Sequence, residues 1–456
     1  MGEAFTHLWQ ALIGRVHGPF AFRLVLQPLT AIIIACRAGW RDAKAGRPAY
    51  GWAVLSNRAE RLALLKEGWR ELTRVFIVAV IVDLIYEVVA FREFRLGQSL
   101  IVAAVLALLP YPLFRGTFNR IVRSCRGTEK RGPFLNIPES VSEEAQEFLR
   151  SLRNPASMPA FPNPGDLDGW RKLQSLVEGP AKAQSEEILQ RYAPAVIQRV
   201  LGSINVLEVC PKGWHGSRCV AVYVHGGAHT LYSAASTAGR AAMFAHDTGL
   251  RVISVDYTLA PFAKYDQMSD QVVAVVQALL SEGHALEEMI LYGESSGGGL
   301  AASAILKMRD RGLGMPAAAV LVSPWVDVTR TGDTEFTLAH AEPNYLYEKH
   351  SIRAAAAYAD PKDQKQPYVS PVYGDFTKGF PPTLIQGGTK ETLLSGFIRL
   401  YQALDTAGQA VKLDLYEGMP HNFASRIPES PEARIARGKI RDFVHLHVAE
   451  EHLARA

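Results

Sequence analysis

The chain is short of cysteine. Four of its 456 residues are cysteines, Cys36, Cys125, Cys210 and Cys219, too few and too scattered for a disulfide scaffold and without the CxxC spacing of a structural zinc site. An excess of one charge is lacking too. The 49 basic residues face 45 acidic ones, a formal net charge of +4, which excludes the concentrated basicity of a nucleic-acid binder. The opening MGEAFTHLWQALIGRVHG has no basic n-region and no small-residue cleavage site, so a cleaved secretory signal is not expected. Internal repeats and low-complexity tracts are missing. At this length two domains are expected, with material to spare for a core.

What the sequence does have falls into two halves. The first carries apolar runs at Phe22–Cys36 (FRLVLQPLTAIIIAC), Val75–Phe91 (VFIVAVIVDLIYEVVAF) and Ser99–Phe114 (SLIVAAVLALLPYPLF). Each approaches the roughly 17–25 residues of a spanning helix, the first most weakly because Arg23, Gln27 and Thr30 interrupt it. Residues 1–130 are therefore expected to form an all-α domain of two or three transmembrane helices. Asp83 and Glu87 lie four apart on one face of the second run, which reads either as a proton or ion site or as two carboxyls turned inward toward Arg23 or interfacial arginines. The stretch DLIYEVVAFREFRLGQSLIVAAVLALLPYPLFRG resembles a family of small uncharacterised bacterial integral membrane proteins, over roughly residues 15–125. That resemblance implies a membrane but no activity. Nine Lys and Arg fall between Arg37 and Arg74 and six between Arg115 and Arg131, against two, Arg92 and Arg95, between the second and third runs. Such a bias places the rich segments in the cytoplasm, at a bacterial inner membrane, and the remainder of the chain with them. Cys210 and Cys219, expected to face each other across a hairpin, would then be free thiols.

After Arg131 the character changes. Residues 131–160 read as a linker and the start of a helical cap, with repeated prolines and a helix beginning at Ser140, where Glu143 completes a capping box. The cap is expected to run to about Leu201. From about Ser203 short β-branched runs (CVAVYVHGG, RVISVDY, EMILYGES, AAAVLVSPW, PPTLIQGG, VKLDLYEG) alternate with helical patterns such as YDQMSDQVVAVVQALLSEG. This alternation predicts, within residues 161–456, an α/β domain with a mostly parallel, doubly covered sheet and function at the carboxyl ends of its strands.

The chemistry-bearing motifs sit at those strand ends. Gly293-Glu294-Ser295-Ser296-Gly297 fits GxSxG after the strand MILY and before a small-residue helix, the context in which a sharp turn exposes a nucleophile. Ser295 is the expected nucleophile, since Ser296 would need glycine where Glu294 stands. His225-Gly226-Gly227-Ala228 ends another strand, and its small residues let backbone amides face a cavity. Gly227, Ala228 and the amide of Ser296 are expected to hold a developing oxyanion, with His225 and Gly226 supporting the loop. The base is expected at His421, just after the strand ending in Gly418. The acid orienting it is Glu391 after the preceding strand, with Asp327 and Asp414 as rivals. The order Ser, Glu, His is that of α/β-hydrolases.

HGGA, VDYTLAP, GESSGG, SPWVDVT, YVSP, PPTLIQGGTKETLL and GMPHNF together resemble the hormone-sensitive-lipase family of bacterial esterases, over roughly residues 140–450. The resemblance implies an α/β-hydrolase fold with an N-terminal cap, a serine carboxylesterase acting on a small ester or lipid-like substrate, and no cofactor. It maps the nucleophile to Ser295, the histidine to His421, the acid to Glu391 and the oxyanion loop to Gly227 and Ala228. Departures from the family pattern are Ala228, Ser296, Gly299 and Gly396, at positions where glycine, alanine, asparagine and an acidic residue are usual. Two other readings belong to different classes: a ligand receptor on a hydrolase scaffold, argued against by the presence of His421, and a membrane ion-binding or transport module with the hydrolase as an appendage.

Overall fold

The computed structural model describes residues 23–44, 50, 61–92, 97, 100–101, 104–105, 110–130, 137–152 and 154–448, and its contacts divide the chain into two units, Met1–Arg131 and Gly132–Ala456.

In the first unit the described elements are helices α1 (Arg23–Lys44), α2 (Arg61–Phe91) and α3 (Pro110–Lys130). Ala31, Ala35 and Ala38 recur at helical spacing and pack against Leu72 of α2 and Tyr111 of α3. At Gly39 a Cβ would lie 2.5 Å from the carbonyl oxygen of Arg115, so α1 and α3 meet more closely than a larger residue permits. Arg115, itself buried, donates to both carboxylate oxygens of Asp42 at 2.6 and 2.9 Å and to Glu67 at 2.8 Å, tying the three helices together. Among the described residues no helix is long and apolar enough to cross a membrane. Arg37, Arg41 and Asp42 charge the second half of α1, and Asp83 and Glu87 break the apolar run of α2. The spanning helices expected at Phe22–Cys36 and Val75–Phe91 are therefore not found, and the membrane-protein resemblance gains no support. Much of the third run, Ser99–Phe114, lies outside the described residues, as do the side chains of Asp83 and Glu87.

The second unit is built on an eight-stranded sheet of order β1-β2-β4-β3-β5-β6-β7-β8. Its strands are β1 (Ala195–Leu201), β2 (Ile204–Cys210), β3 (Val220–Val224), β4 (Arg251–Val255), β5 (Met289–Glu294), β6 (Ala318–Val322), β7 (Thr383–Gly388) and β8 (Val411–Tyr416). β1 and β2 form an antiparallel hairpin, β2 runs antiparallel to β4, and all other pairs are parallel. The six strands β3 to β8 are those read from the sequence; the hairpin was not, and the segment ending at Leu201 is strand rather than cap. β1 is exposed along nearly its whole length, so no alternation of apolar and polar residues marks it. Since β4 lies between β2 and β3, Cys210 and Cys219 do not face each other across a hairpin; both are buried free thiols.

Alternate residues of the central strands feed two cores. Val222, Leu291, Leu321 and Ile385 pack on one face with α4 (Tyr265–Ser281), α5 (Ser296–Asp310) and α6 (Leu394–Thr406). Tyr223, Ile290, Val320 and Leu384 pack on the other with α7 (Ala238–Thr248) and α8 (Pro431–His447). Each fully buried side chain of this size contributes about 1.5–3 kcal/mol of transfer free energy, so the sheet is a stiff platform for the loops at its carboxyl edge. From β3 the chain passes first to β4 on one side and then to β5 on the other, which makes the β3/β5 junction the topological switch point where a ligand crevice opens. Over that edge lies the cap, mainly the helix Leu167–Tyr192, preceded by a short helix at Glu143–Ser151. The N-cap of the short helix is Ser142, whose side chain accepts from the Ala145 amide at 3.2 Å. Ser140 instead donates to Glu417, so the expected capping box starts two residues too early.

Candidate active site

β5 ends at Glu294 and α5 begins at Ser296, leaving Ser295 alone to turn the chain. It does so at φ 56° and ψ −127°, a conformation costly for any residue with a side chain. The turn is held by the Ser295 amide donating to Val322 at 2.9 Å and by the Trp325 amide donating to the Ser295 carbonyl at 2.8 Å. Gly297 is required by space: a Cβ there would lie 2.1 Å from the Val224 carbonyl oxygen. Ser296 is buried, and its hydroxyl accepts from the His229 amide at 3.0 Å. It therefore ties the turn to the loop after β3 and does not face the cavity as a nucleophile would.

The loop after β3 carries Gly226, Gly227 and Ala228. Gly227 has φ 120° and Ala228 φ 54°, the kind of successive unusual turns that leave amides pointing away from the sheet. Among the described residues none of the amides of Gly227, Ala228 and Ser296 donates to a protein acceptor. His225 is fully buried, stacked on Tyr257 at 4.3 Å, with Nδ1 bonded to its neighbour's carbonyl at 2.8 Å. Burial pushes its pKa down. It braces the loop and is walled off from proton exchange with a substrate. His229 is likewise buried, its pKa driven down to about 3 by desolvation, and stacks face to face on Tyr358 at 3.7 Å.

His421 follows β8, with Nε2 2.9 Å from the Ser295 hydroxyl and Nδ1 2.7 Å from Glu391 Oε2. Glu391 is fully buried after β7, and its other oxygen accepts from the Gly388 amide at 2.6 Å and the Ser323 hydroxyl at 2.8 Å. With Nδ1 donating to the carboxylate, Nε2 is left to accept from the serine. The rival acids are engaged elsewhere: Asp327 holds Arg399, Thr329 and Thr331, and Asp414 holds Lys439 and Gln386.

Sequence reasoning missed Ser323, which supports Glu391 and also accepts from the Asn422 amide at 3.1 Å. The signal was there, because Ser323 is the residue directly after β6, but the nearby Asp327 drew the assignment. Also missed was the loop at 342–345: Tyr345 packs edge-on against His421 at 5.6 Å, and the Asn344 side chain reaches the His421 carbonyl at 3.4 Å. Ser295 and His421 open into a cavity of about 600 Å³ roofed by the cap residues Phe161, Leu173, Leu176, Val177 and Ile188.

A serine, a histidine and a carboxylate in hydrogen-bonded series, with unengaged amides beside the serine at a strained strand-to-helix turn, define a serine hydrolase. The family described as alpha/beta hydrolase fold matches residues 221–425. An acetyl-hydrolase of Streptomyces hygroscopicus is 34% identical over 215 residues, 47% of this chain and 71% of that protein. Among solved structures, esterase E25 superposes with a TM-score of 0.65 at 27% identity, covering 69% of this chain and 97% of its own. An esterase from the bacterial hormone-sensitive lipase family superposes with a TM-score of 0.54 at 27% identity, covering 59% of this chain and 99% of its own. The chain belongs to the α/β-hydrolase family, in its hormone-sensitive-lipase-like group, and is a carboxylic ester hydrolase.

Proposed function

We propose that the chain cleaves short-chain carboxylic esters through an acyl-enzyme on Ser295 and works at a membrane surface to which its N-terminal helices hold it. The observation that carries the catalytic part is the Ser295–His421–Glu391 series beside the free amides of Gly227, Ala228 and Ser296. Ser295 attacks the ester carbonyl as His421 takes its proton, and the charge on the carbonyl oxygen falls on the three amides. His421, its positive charge balanced by Glu391, then protonates the leaving alcohol. In the second half it removes a proton from water, which releases the acid and restores the serine. The short acyl preference rests on the name of the acetyl-hydrolase relative. Replacing Ser295 with alanine should lower turnover of p-nitrophenyl acetate by roughly ten-thousandfold, whereas Ser296→Ala should retain most of it. The reverse ranking would move the nucleophile.

Membrane attachment is supported by one face of α2, where Ile77, Ile81, Ile85 and Val88 are each about half exposed at helical spacing. The Lys and Arg bias around the apolar runs favours a cytoplasmic catalytic unit. A single cysteine placed on the C-terminal tail of the full chain should resist a membrane-impermeant thiol reagent in intact cells and react after lysis. Strong labelling before lysis would put the esterase outside.

A further inference from the structure

The cavity holding Ser295 has two unlike walls. The cap wall is mainly apolar, with Gln184 and Ser185 its polar members, while the wall around residues 344 and 425 presents two arginines, Arg240 and Arg426, with Asn344 and Ser425. The arginines are not equivalent. Arg240 donates to Glu294 Oε2 at 2.9 Å, and that carboxylate is itself buried. Arg240 is therefore neutralised within the fold. Arg426 forms no ion pair among the described residues. It lies over the Phe148 ring at 5.0 Å and donates to the Asn344 side-chain carbonyl.

The acidic group that acts on Arg426 is Glu342, and burial pushes its carboxyl up to about 7. Glu342 spends Oε1 on the amide and side chain of Asn344, at 3.0 and 2.9 Å, rather than on the arginine. A guanidinium stays ionised in proteins. Holding one half-buried in an active-site cavity without a carboxylate costs desolvation that folding alone does not recover. Asn344 fixes the Arg426 fork on one side and reaches the His421 carbonyl with its other end, so the unpaired charge is placed beside the reacting centre.

We propose that this esterase takes substrates bearing an anionic oxygen group, a carboxylate or a phosphate, and that Arg426 binds that group while Ser295 attacks the ester. The proposal rests on the catalytic reading above. The planar fork of a guanidinium matches both kinds of anion with paired hydrogen bonds, and the apolar cap wall takes the uncharged remainder of the substrate.

Two matched pairs of substrates test it on the full chain. 4-Nitrophenyl hydrogen glutarate is compared with 4-nitrophenyl valerate, which places the anion in the acyl part, and 4-acetoxybenzoate with phenyl acetate, which places it in the leaving group. For at least one pair, Arg426→Gln should lower the anionic-to-neutral ratio of kcat/KM by roughly ten- to a hundredfold, mainly through KM, the range of one charge-assisted hydrogen bond. Arg426→Lys should fall between the two. Glutarate and inorganic phosphate as competitors of the neutral ester distinguish the carboxylate from the phosphate form. Ratios unchanged by Arg426→Gln in both pairs overturn the proposal. Should the parent turn over none of the four esters, the catalytic reading fails instead. Protection of the chain against thermal unfolding by glutarate or phosphate, lost in Arg426→Gln, then decides the anion site alone, and equal protection of both chains rejects it.

Discussion

Replacing Glu391 with glutamine changes one atom and should nearly silence the enzyme. The reason lies in which way the amide must face. Glu391 Oε1 accepts from the Gly388 amide at 2.6 Å and from the Ser323 hydroxyl at 2.8 Å, in a fully buried site. The Gly388 amide can only donate, so the glutamine carbonyl has to take that position. Its NH2 group is then directed at His421 Nδ1, which in the parent lies 2.7 Å from Oε2. An NH2 there demands that Nδ1 accept, which moves the ring proton to Nε2. A protonated Nε2 cannot take the proton of Ser295, 2.9 Å away. A wrong-tautomer substitution of this kind lowers kcat by about ten-thousandfold, equivalent to about 5 kcal/mol of barrier. The assay is p-nitrophenolate release at saturating substrate, with circular dichroism to show that the variant is folded. Asp327→Asn is the control. It lies in the buried Arg399, Thr329 and Thr331 cluster, so it should lower the melting temperature while leaving kcat within about threefold. A Glu391→Gln enzyme within tenfold of the parent, or an Asp327→Asn enzyme more damaged than it, would refute the tautomer argument and move the acid.

Glu342 should leave a mark on stability. Burial raises its pKa from 4.5 to about 7, so over that interval the folded chain holds a proton that the unfolded chain releases, and its contribution to stability falls as pH rises through the window. Glu342→Gln cannot ionise, so its melting temperature should decline less than the parent's between those two pH values; parallel curves would show that Glu342 does not titrate there. Gly227→Ala should cost roughly a hundredfold to a thousandfold in kcat, because at φ 120° a Cβ would stand 2.2 Å from the Leu231 carbonyl oxygen and shift the loop. Near-parental turnover would remove Gly227 from the oxyanion site.

The parts of the molecule that were legible in the sequence share a cause. β3 to β7 are buried along their whole length, so each reads as a mostly apolar run, β8 is only partly buried, and all six strands run directly into a polar or charged residue where the loop turns into the crevice. Ser295, Glu391 and His421 all lie just beyond such ends. What the sequence concealed lacks that coupling of burial to position. β1 is exposed on both faces, and its pairing with β2 is a matter of register rather than composition. The contacts of Tyr345 and Asn344 with His421, and of Arg426 with Asn344, cross 76 or more residues of chain, a distance over which no local pattern speaks. The apolar run of α2 is a different case: its hydrophobicity is real, but Asp83 and Glu87 interrupt it, and among the described residues no helix is long and apolar enough to cross a membrane.

The departures from the family pattern at Ala228 and Ser296 can be understood together. Glycine is usual at 228 because the loop takes φ 54° there, and an alanine in that region costs about 1 kcal/mol or somewhat more. Alanine is usual at 296, where only the backbone amide is asked to act. Here the Ser296 hydroxyl accepts from the amide of His229, the residue directly after Ala228, at 3.0 Å in a buried setting. A hydrogen bond of that kind contributes about 1 kcal/mol, close to the strain it adjoins. The His229 ring, stacked between Tyr358 and Trp325, holds the amide in line. The two departures thus compensate across the gap between the loops, and both leave untouched the backbone N–H groups on which the oxyanion depends. What they alter is stiffness: the loop after β3 is fastened to the nucleophile turn by a side chain, so the distance between the oxyanion donors and Ser295 is fixed by one bond rather than by packing alone.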